Sequence, residues 1–223
     1  MNLYCINHNY LYETEKLLFL FFPFEKNVVL REFNEDNGNY FYTEIKTEEE
    51  EIYFKAEFSF EGKKETAENR KAKGMCTDEE YDLLSLAYPL LKSICGFAPK
   101  WGMLTGVRPS KLLLNKMEEI GEEGAVDYFT NRFFVDEKKT ALALSVAKAE
   151  REIIKNSPKN SFSLYISIPF CPTRCSYCSF VSHSIGTDSA KKLVPQYVEK
   201  LCEEIRYVAK KAKESGLVLT TVY

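Results

Sequence analysis

Leu164-Tyr-Ile-Ser-Ile-Pro-Phe-Cys171-Pro-Thr-Arg-Cys175-Ser-Tyr-Cys178-Ser-Phe180 runs from strand-forming residues straight into a loop with three cysteines. Three residues separate the first two cysteines and two separate the second from the third. Pro172, Thr173 and Arg174 suit a loop and not a core, so the pattern predicts a ligand loop at the end of a strand. Downstream, Asp188 to Ser215 carries Val194, Tyr197, Val198, Leu201, Ile205, Val208 and Ala212 on one helical face, and Leu217 to Tyr223 is a second strand-like run. Strand, helix, apolar strand predicts a parallel βαβ unit over residues 162–223, with Ser163 to Phe170 as its first strand. Two parallel strands need cover on both faces and neighbours on both edges. The expectation is therefore that this unit opens a larger sheet and that the sequence is a fragment.

Outward from this unit, Asn156-Ser-Pro-Lys-Asn-Ser161 reads as a linker. Residues 77–156 read as a helical region. Thr77 and Glu80 have the spacing of a capping box ahead of Tyr81, Leu84, Tyr88 and Leu91, and Pro89 is expected to kink or split that helix. Trp101-Gly-Met-Leu-Thr-Gly-Val-Arg-Pro-Ser-Lys111 reads as a turn feeding a helix with Pro109 in its first position. Leu112, Leu113, Met117 and Ile120 are its apolar face and Gly121 its stop. Arg108, beside that helix start, is a candidate for binding a phosphate or carboxylate; an ion pair is the plainer reading. Asp136 opens a further amphipathic helix through Ile154.

Residues 1–76 read as an antiparallel β-rich region. Ile52, Phe54, Ala56, Phe58 and Phe60 alternate with Tyr53, Lys55, Glu57 and Ser59, the period of a half-buried strand. Asn37-Gly38, between Val28 to Phe33 and Tyr40 to Ile45, predicts a tight hairpin. Gly62 to Gly74 has no apolar period and reads as a solvated loop. The fold class is thus α/β: an α+β region, antiparallel sheet plus helices, followed by a βαβ unit.

Composition narrows the function. The 223 residues are 45% hydrophobic and 28% charged, with 30 basic and 33 acidic side chains, so no global field draws the chain to nucleic acid or anionic lipid. Tyr40, Phe41, Tyr42, Tyr53, Phe54 and Phe58 sit among acidic residues such as Glu48 to Glu51, which favours packing over base stacking. The most apolar run, Leu17 to Phe24, is interrupted by Pro23 and falls far short of the roughly 20 residues that cross a bilayer, so no membrane span is expected. The first residues lack a secretory pattern, and the expected location is cytoplasmic. Of seven cysteines, Cys5, Cys76, Cys95 and Cys202 are scattered and read as packing residues.

Four readings compete for Cys171, Cys175 and Cys178. Structural zinc wants four ligands; His183 offers a fourth, but no second pair exists. A disulfide strands one thiol, and inert packing fits poorly with loop residues on either side. An iron–sulfur cluster carries most weight, since three thiolates on four irons leave one iron free of protein ligands.

The spacing, with Tyr177 before the last cysteine and the loop following a first strand, resembles the radical S-adenosylmethionine superfamily. Tyr165 and Ile168-Pro-Phe-Cys171 resemble its oxygen-independent coproporphyrinogen oxidase group. Thr105-Gly-Val-Arg-Pro109 resembles the coproporphyrinogen dehydrogenase branch of that group. The motifs fall between residues 100 and 223; the first hundred match by position only. The resemblance implies that residues 162–223 begin a partial (β/α)6 barrel and that Cys171, Cys175 and Cys178 hold a [4Fe-4S] cluster with S-adenosylmethionine on its open iron. A one-electron donor such as flavodoxin or ferredoxin would drive release of a 5′-deoxyadenosyl radical. Phe170 and Tyr177 would flank cluster and adenine, with Tyr165 near the cofactor. The implied reaction converts propionate side chains of coproporphyrinogen III to the vinyl groups of protoporphyrinogen IX. Two positions depart from the pattern: Ser167 replaces a histidine and Phe180 a fourth cysteine. Phe180 is shared with haem-chaperone relatives, so a chaperone-like protein without oxidase activity is the alternative, with a zinc-binding interaction module as a third. The family's Gly-Gly-Gly-Thr-Pro segment follows strand two, which here ends at Tyr223, so these residues by themselves are expected to give no turnover.

Overall fold

A computed structural model describes residues 1–34, 38–106, 108–180 and 182–223. The chain divides into two units, Met1–Arg151 and Glu152–Tyr223. The described residues form a mixed α/β protein with five α-helices, none long and apolar enough to cross a membrane.

In the first unit, β1 (Asn2–Ile6) runs between β2 (Val28–Leu30) and β3 (Tyr40–Thr47), parallel to both. The sheet continues through β4 (Glu51–Phe60) and β5 (Lys63–Ala72) as an antiparallel meander. The expected hairpin of β2 with β3 does not form, because β1 occupies the slot between them; Asn37 itself lies outside the described residues. Side-chain burial explains the slot. Leu3 joins the core beneath the sheet, while Tyr4 packs edge-on against Phe33 and Tyr40 on the other face, and both are fully buried. A strand buried on both faces belongs inside a sheet. The half-exposed Val28 and Val29 leave β2 as a short edge strand.

The segment expected to be a solvated loop is β5, whose residues pair with β4 along its whole length. Glu61 (φ 50°) and Gly62 (φ 77°) make the two-residue turn, the paired positive φ angles that match the twist of a hairpin. As an edge strand rich in Lys, Arg and Glu, β5 needs no apolar face and discourages pairing with another chain.

The expected alternation in β4 holds. Ile52, Phe54, Ala56 and Phe58 are buried and Phe60 partly so. Against this face pack α1 (Leu11–Phe21), through Leu17, Leu18 and Phe21, and α2 (Glu79–Cys95), through Leu83, Ala87, Leu91 and Ile94. Each large side chain buried there contributes about 1.5–3 kcal/mol. The cap of α2 is Asp78 and not Thr77: its Oδ1 accepts a hydrogen bond from the Tyr81 backbone N–H at 3.0 Å. The helix runs through Pro89 without interruption and stops at Gly96, whose φ of 72° closes a bond to the Lys92 carbonyl.

Pro109 opens α3 (Pro109–Asp127) as expected, and Gly121 breaks it, with φ 78° and ψ 173°, before the helix resumes. Leu113 and Met117 are buried, whereas Ile120 is exposed. With α4 (Glu137–Asn156) and Phe129 they form a further core cluster. Gly102 explains one glycine of the Trp101 to Lys111 stretch: a Cβ there would lie 1.9 Å from the Phe133 carbonyl oxygen. The same oxygen accepts a bond from the Met103 N–H, so backbone approaches backbone where only glycine fits.

In the second unit, β6 (Ser161–Leu164) pairs parallel with β9 (Val218–Val222) across α5 (Asp188–Glu214), the expected βαβ arrangement. Ser163 to Phe170 is not one strand. β6 ends at Leu164, and Phe170–Cys171 forms a separate short strand, β7, parallel to β8 (His183–Ser184). Pro169 lies just ahead of β7 and has no N–H to give to a ladder. Thr187 caps α5 by accepting from the Ala190 N–H. Ala190 and Ala212 are buried and Val194, Tyr197, Leu201, Ile205 and Val208 half-buried, whereas Val198 is half-exposed.

Glu57 links the fold to pH. On the outer face of β4 it is 5% exposed, and it accepts hydrogen bonds from Tyr40 Oη (2.5 Å) and Thr66 Oγ1 (3.0 Å), with Lys64 Nζ at 3.0 Å. Burial raises its carboxyl pKa, but the bonds from Tyr40, Lys64 and Thr66 and the lysine charge outweigh that and hold it below the usual value. Burial and the bond to Glu57 push the Tyr40 phenol up to about 12. The carboxylate's stabilisation is therefore present above the unfolded glutamate pKa and lost as pH falls through the folded one; that of Tyr40 is lost as pH rises through about 12. Glu57→Gln is expected to cost about 1–3 kcal/mol at neutral pH. In urea titrations the gap from wild type should close as pH falls; a gap independent of pH would contradict this assignment.

Candidate functional site

The three clustered cysteines lie between β6 and α5. Cys171 sits on β7 and is half-buried, Cys175 is exposed, and Cys178 is half-buried; all are free thiols. A turn closed by the Cys178 N–H on the Cys175 carbonyl (3.1 Å) draws the second and third together along the chain. Cys171 is fixed differently, by β8. The His183 N–H donates to the Pro169 carbonyl (2.8 Å) and the Ile185 N–H to the Cys171 carbonyl (3.0 Å).

The aromatic residues expected around a cofactor are dispersed. The Phe170 ring meets Tyr197 edge-on at 5.2 Å and His183 at 5.8 Å. Tyr165 stacks on Tyr223 with ring centres 5.4 Å apart. That contact is reinforced by bonds from the Tyr223 N–H to the Leu164 carbonyl and from the Ile166 N–H to the Tyr223 carbonyl. Tyr177 and Phe180 are 88% and 76% exposed. A cavity of about 420 Å³ lies beneath the segment from Leu164 to Pro169, with Tyr197, Leu201 and Ile205 of α5 as its other wall. The donor hydroxyl of Tyr197 reaches the Ser167 carbonyl. In the sequence Tyr197 shows itself only as part of the apolar face of α5; a phenol on such a face is the one signal that it has a polar partner.

The donor set suits a thiophilic metal: three soft sulfur ligands within one short loop, none tied up in a disulfide. Among the described residues, no three His, Cys, Asp or Glu side chains converge closely enough to hold an ion. The scattered cysteines differ in kind. Burial pushes the Cys95 thiol up to about 11. Burial also raises Cys5, against bonds from Thr43 and Thr14, and raises Cys76, together with its bond to Asp82.

The first unit has a cavity of its own, about 310 Å³, lined by Leu17, Tyr81, Leu84, Met103 and Phe133 and by Thr105 and Gly106 of the stretch before α3. Glu13, Asp78 and Glu80 also line it, with Lys16. Burial, then the charges of Glu13 and Asp78, raise the Glu80 carboxyl pKa. This acidic lining has the wrong sign for a phosphate or carboxylate ligand, and Arg108, exposed ahead of α3, is not among the lining residues.

The oxygen-independent coproporphyrinogen-III oxidase-like protein HemZ of Bacillus subtilis is 31% identical to this chain over 137 residues. The match takes in 60% of this chain and 27% of the relative's length. The chain is thus related to the HemZ-type group. No protein-family model matches it, and no solved structure matches it significantly.

Thiol accessibility tests the site's geometry without any metal. With its pKa near 11, Cys95 is on the order of 0.1% thiolate at pH 8. Iodoacetamide labelling followed by peptide mapping is expected to modify Cys175 and Cys202 first and Cys95 last, over a spread of roughly a hundredfold. Early labelling of Cys95 would contradict its burial.

Proposed function

We propose that Cys171, Cys175 and Cys178 hold a [4Fe-4S] cluster and that residues 162–223 begin the (β/α)6 barrel of a radical S-adenosylmethionine oxidoreductase of the coproporphyrinogen dehydrogenase type. The observation that carries this reading is the position of three free cysteines, at the Cys-x3-Cys-x2-Cys spacing, in the crossover of a parallel βαβ unit. The similarity to HemZ, a coproporphyrinogen-III oxidase-like protein, supports the same reading. When bound, the cluster and S-adenosylmethionine supply one-electron chemistry at an iron without a protein ligand.

The chain's own residues have narrower tasks. β8 holds the backbone of Cys171, so that the first thiol is presented from a fixed point, while exposed Cys175 adapts. Phe170, packed on Tyr197, shields the protein side of the loop. Tyr177, which faces solvent, would flank the cluster and the adenine together with Phe170, and Tyr165 would lie near the cofactor. The substrate under this reading is coproporphyrinogen III, two of whose four propionates would each give a hydrogen atom to the 5′-deoxyadenosyl radical, then lose carbon dioxide and pass one electron to an external one-electron acceptor, to become vinyl. Its partners are a one-electron donor of the flavodoxin or ferredoxin kind, in the reducing cytoplasm. Phe180, in place of a fourth cysteine, favours a second reading, a haem-chaperone-like relative without oxidase activity.

Anaerobic incubation of the chain with iron and sulfide is expected to give a brown protein holding about four irons. Cys171→Ala, Cys175→Ala or Cys178→Ala should each abolish iron retention, while Cys95→Ala and Cys202→Ala should retain it. A colourless protein that takes up zinc in preference to iron would sink the cluster reading. The substrate is tested on a whole protein carrying this chain, supplied with reductant, S-adenosylmethionine and coproporphyrinogen III. Vinyl product supports the oxidase, and haem binding without vinyl product supports the chaperone.

A further inference from the structure

On the approach to the first cysteine the carbonyls of Ser167, Pro169 and Cys171, at alternate positions, each accept a hydrogen bond. β8 takes two of them, through the N–H groups of His183 (2.8 Å) and Ile185 (3.0 Å), themselves two residues apart. The third, on Ser167, accepts its bond from the Tyr197 hydroxyl of α5. A helix side chain thus holds the backbone two residues ahead of the first carbonyl that β8 takes.

The same side chain has a second hold on the segment. Its ring meets the edge of Phe170, the residue before Cys171, at 5.2 Å and 69°. Tyr197 therefore grips the chain on both sides of Pro169. These contacts bridge a gap, because the cavity of about 420 Å³ separates the segment from this part of α5. We propose that Tyr197 is the positioning residue of the cysteine loop: it fixes the path into Cys171 and so sets where the first ligand of the metal group stands. The inference deepens the cluster reading given above and rests on it. Tyr197 touches neither metal nor substrate under this assignment; it acts through the backbone of residues 167–171.

The bland alternative is a half-buried phenol that has merely found an acceptor. Two variants separate the possibilities. Tyr197→Phe keeps the ring against Phe170 and removes the donor, and since Ser167 is exposed its carbonyl turns to water without threatening the fold. Tyr197→Leu removes both contacts. In the metal-free chain, hydrogen exchange at the His183 and Ile185 amides is expected to quicken about two- to tenfold in Tyr197→Phe, the range that one ordinary hydrogen bond is worth. The change should be larger in Tyr197→Leu, with the α5 amides from Leu201 onward at wild-type rates. In the iron-loaded chain, release of iron to a chelator should accelerate by a similar factor in the same order. Unchanged exchange in both variants overturns the proposal. So does wild-type iron release from variants whose exchange has quickened, because the residue is then structural only. A wild-type chain that takes up no iron refutes the cluster reading instead, and the exchange measurement still decides whether Tyr197 fixes the loop.

Discussion

Parallel strands cannot be joined by a tight turn, and the pairing of β6 with β9 therefore requires a crossover, which α5 supplies. Beyond Ile166, whose N–H still bonds to the Tyr223 carbonyl, the chain up to the start of α5 is released from that ladder. It is there that the three cysteines sit, in a stretch whose hydrogen bonds are made locally: a turn between Cys175 and Cys178, the short pair β7 and β8, and one phenol from the crossing helix. The crossover thus supplies both the free loop and the side chain that steadies it. Freedom and anchorage are divided among the thiols accordingly, with Cys171 tied to β8 and Cys175 open to solvent.

The first unit obeys a different constraint, burial on both faces of one strand. Because Leu3 and Tyr4 both need cover, β1 is drawn between β2 and β3, and the aromatic residues of the outer face close over it. Glu57 lies within that outer face, its charge matched by Tyr40, Thr66 and Lys64. The stretch before α3 that resembles the coproporphyrinogen dehydrogenase branch has a structural side as well. Its Gly102 admits the Phe133 carbonyl, and Thr105 and Gly106 line an acidic cavity and not an anion site.

How much could be read in advance follows from how local each signal is. The helices α2, α3 and α5 were legible because an apolar face repeats every three or four residues whatever it packs against. The alternation of β4 was legible for the same reason, at period two. β5 was not, because an edge strand facing water carries no apolar period; only its partner reveals it. α1 was missed because Leu17 to Phe22 is apolar all round, which hides the period. The hairpin expected at Asn37-Gly38 failed on a non-local competitor, since β1 comes from far earlier in the chain and outbids the neighbouring strand.

By itself, then, the sequence determined the chemistry of the loop and the kind of unit that carries it. Cysteine spacing, proline and a strand-helix-strand pattern are written in consecutive residues and need no distant partner to be read. Tertiary structure alone decided where the first strand stops, that Phe170–Cys171 pairs with His183–Ser184, and that Tyr197 of α5 closes on Ser167. These are contacts between residues 13 to 30 positions apart, and their energies depend on which surfaces the crossover brings together. No local propensity encodes that juxtaposition; only the folded chain makes it.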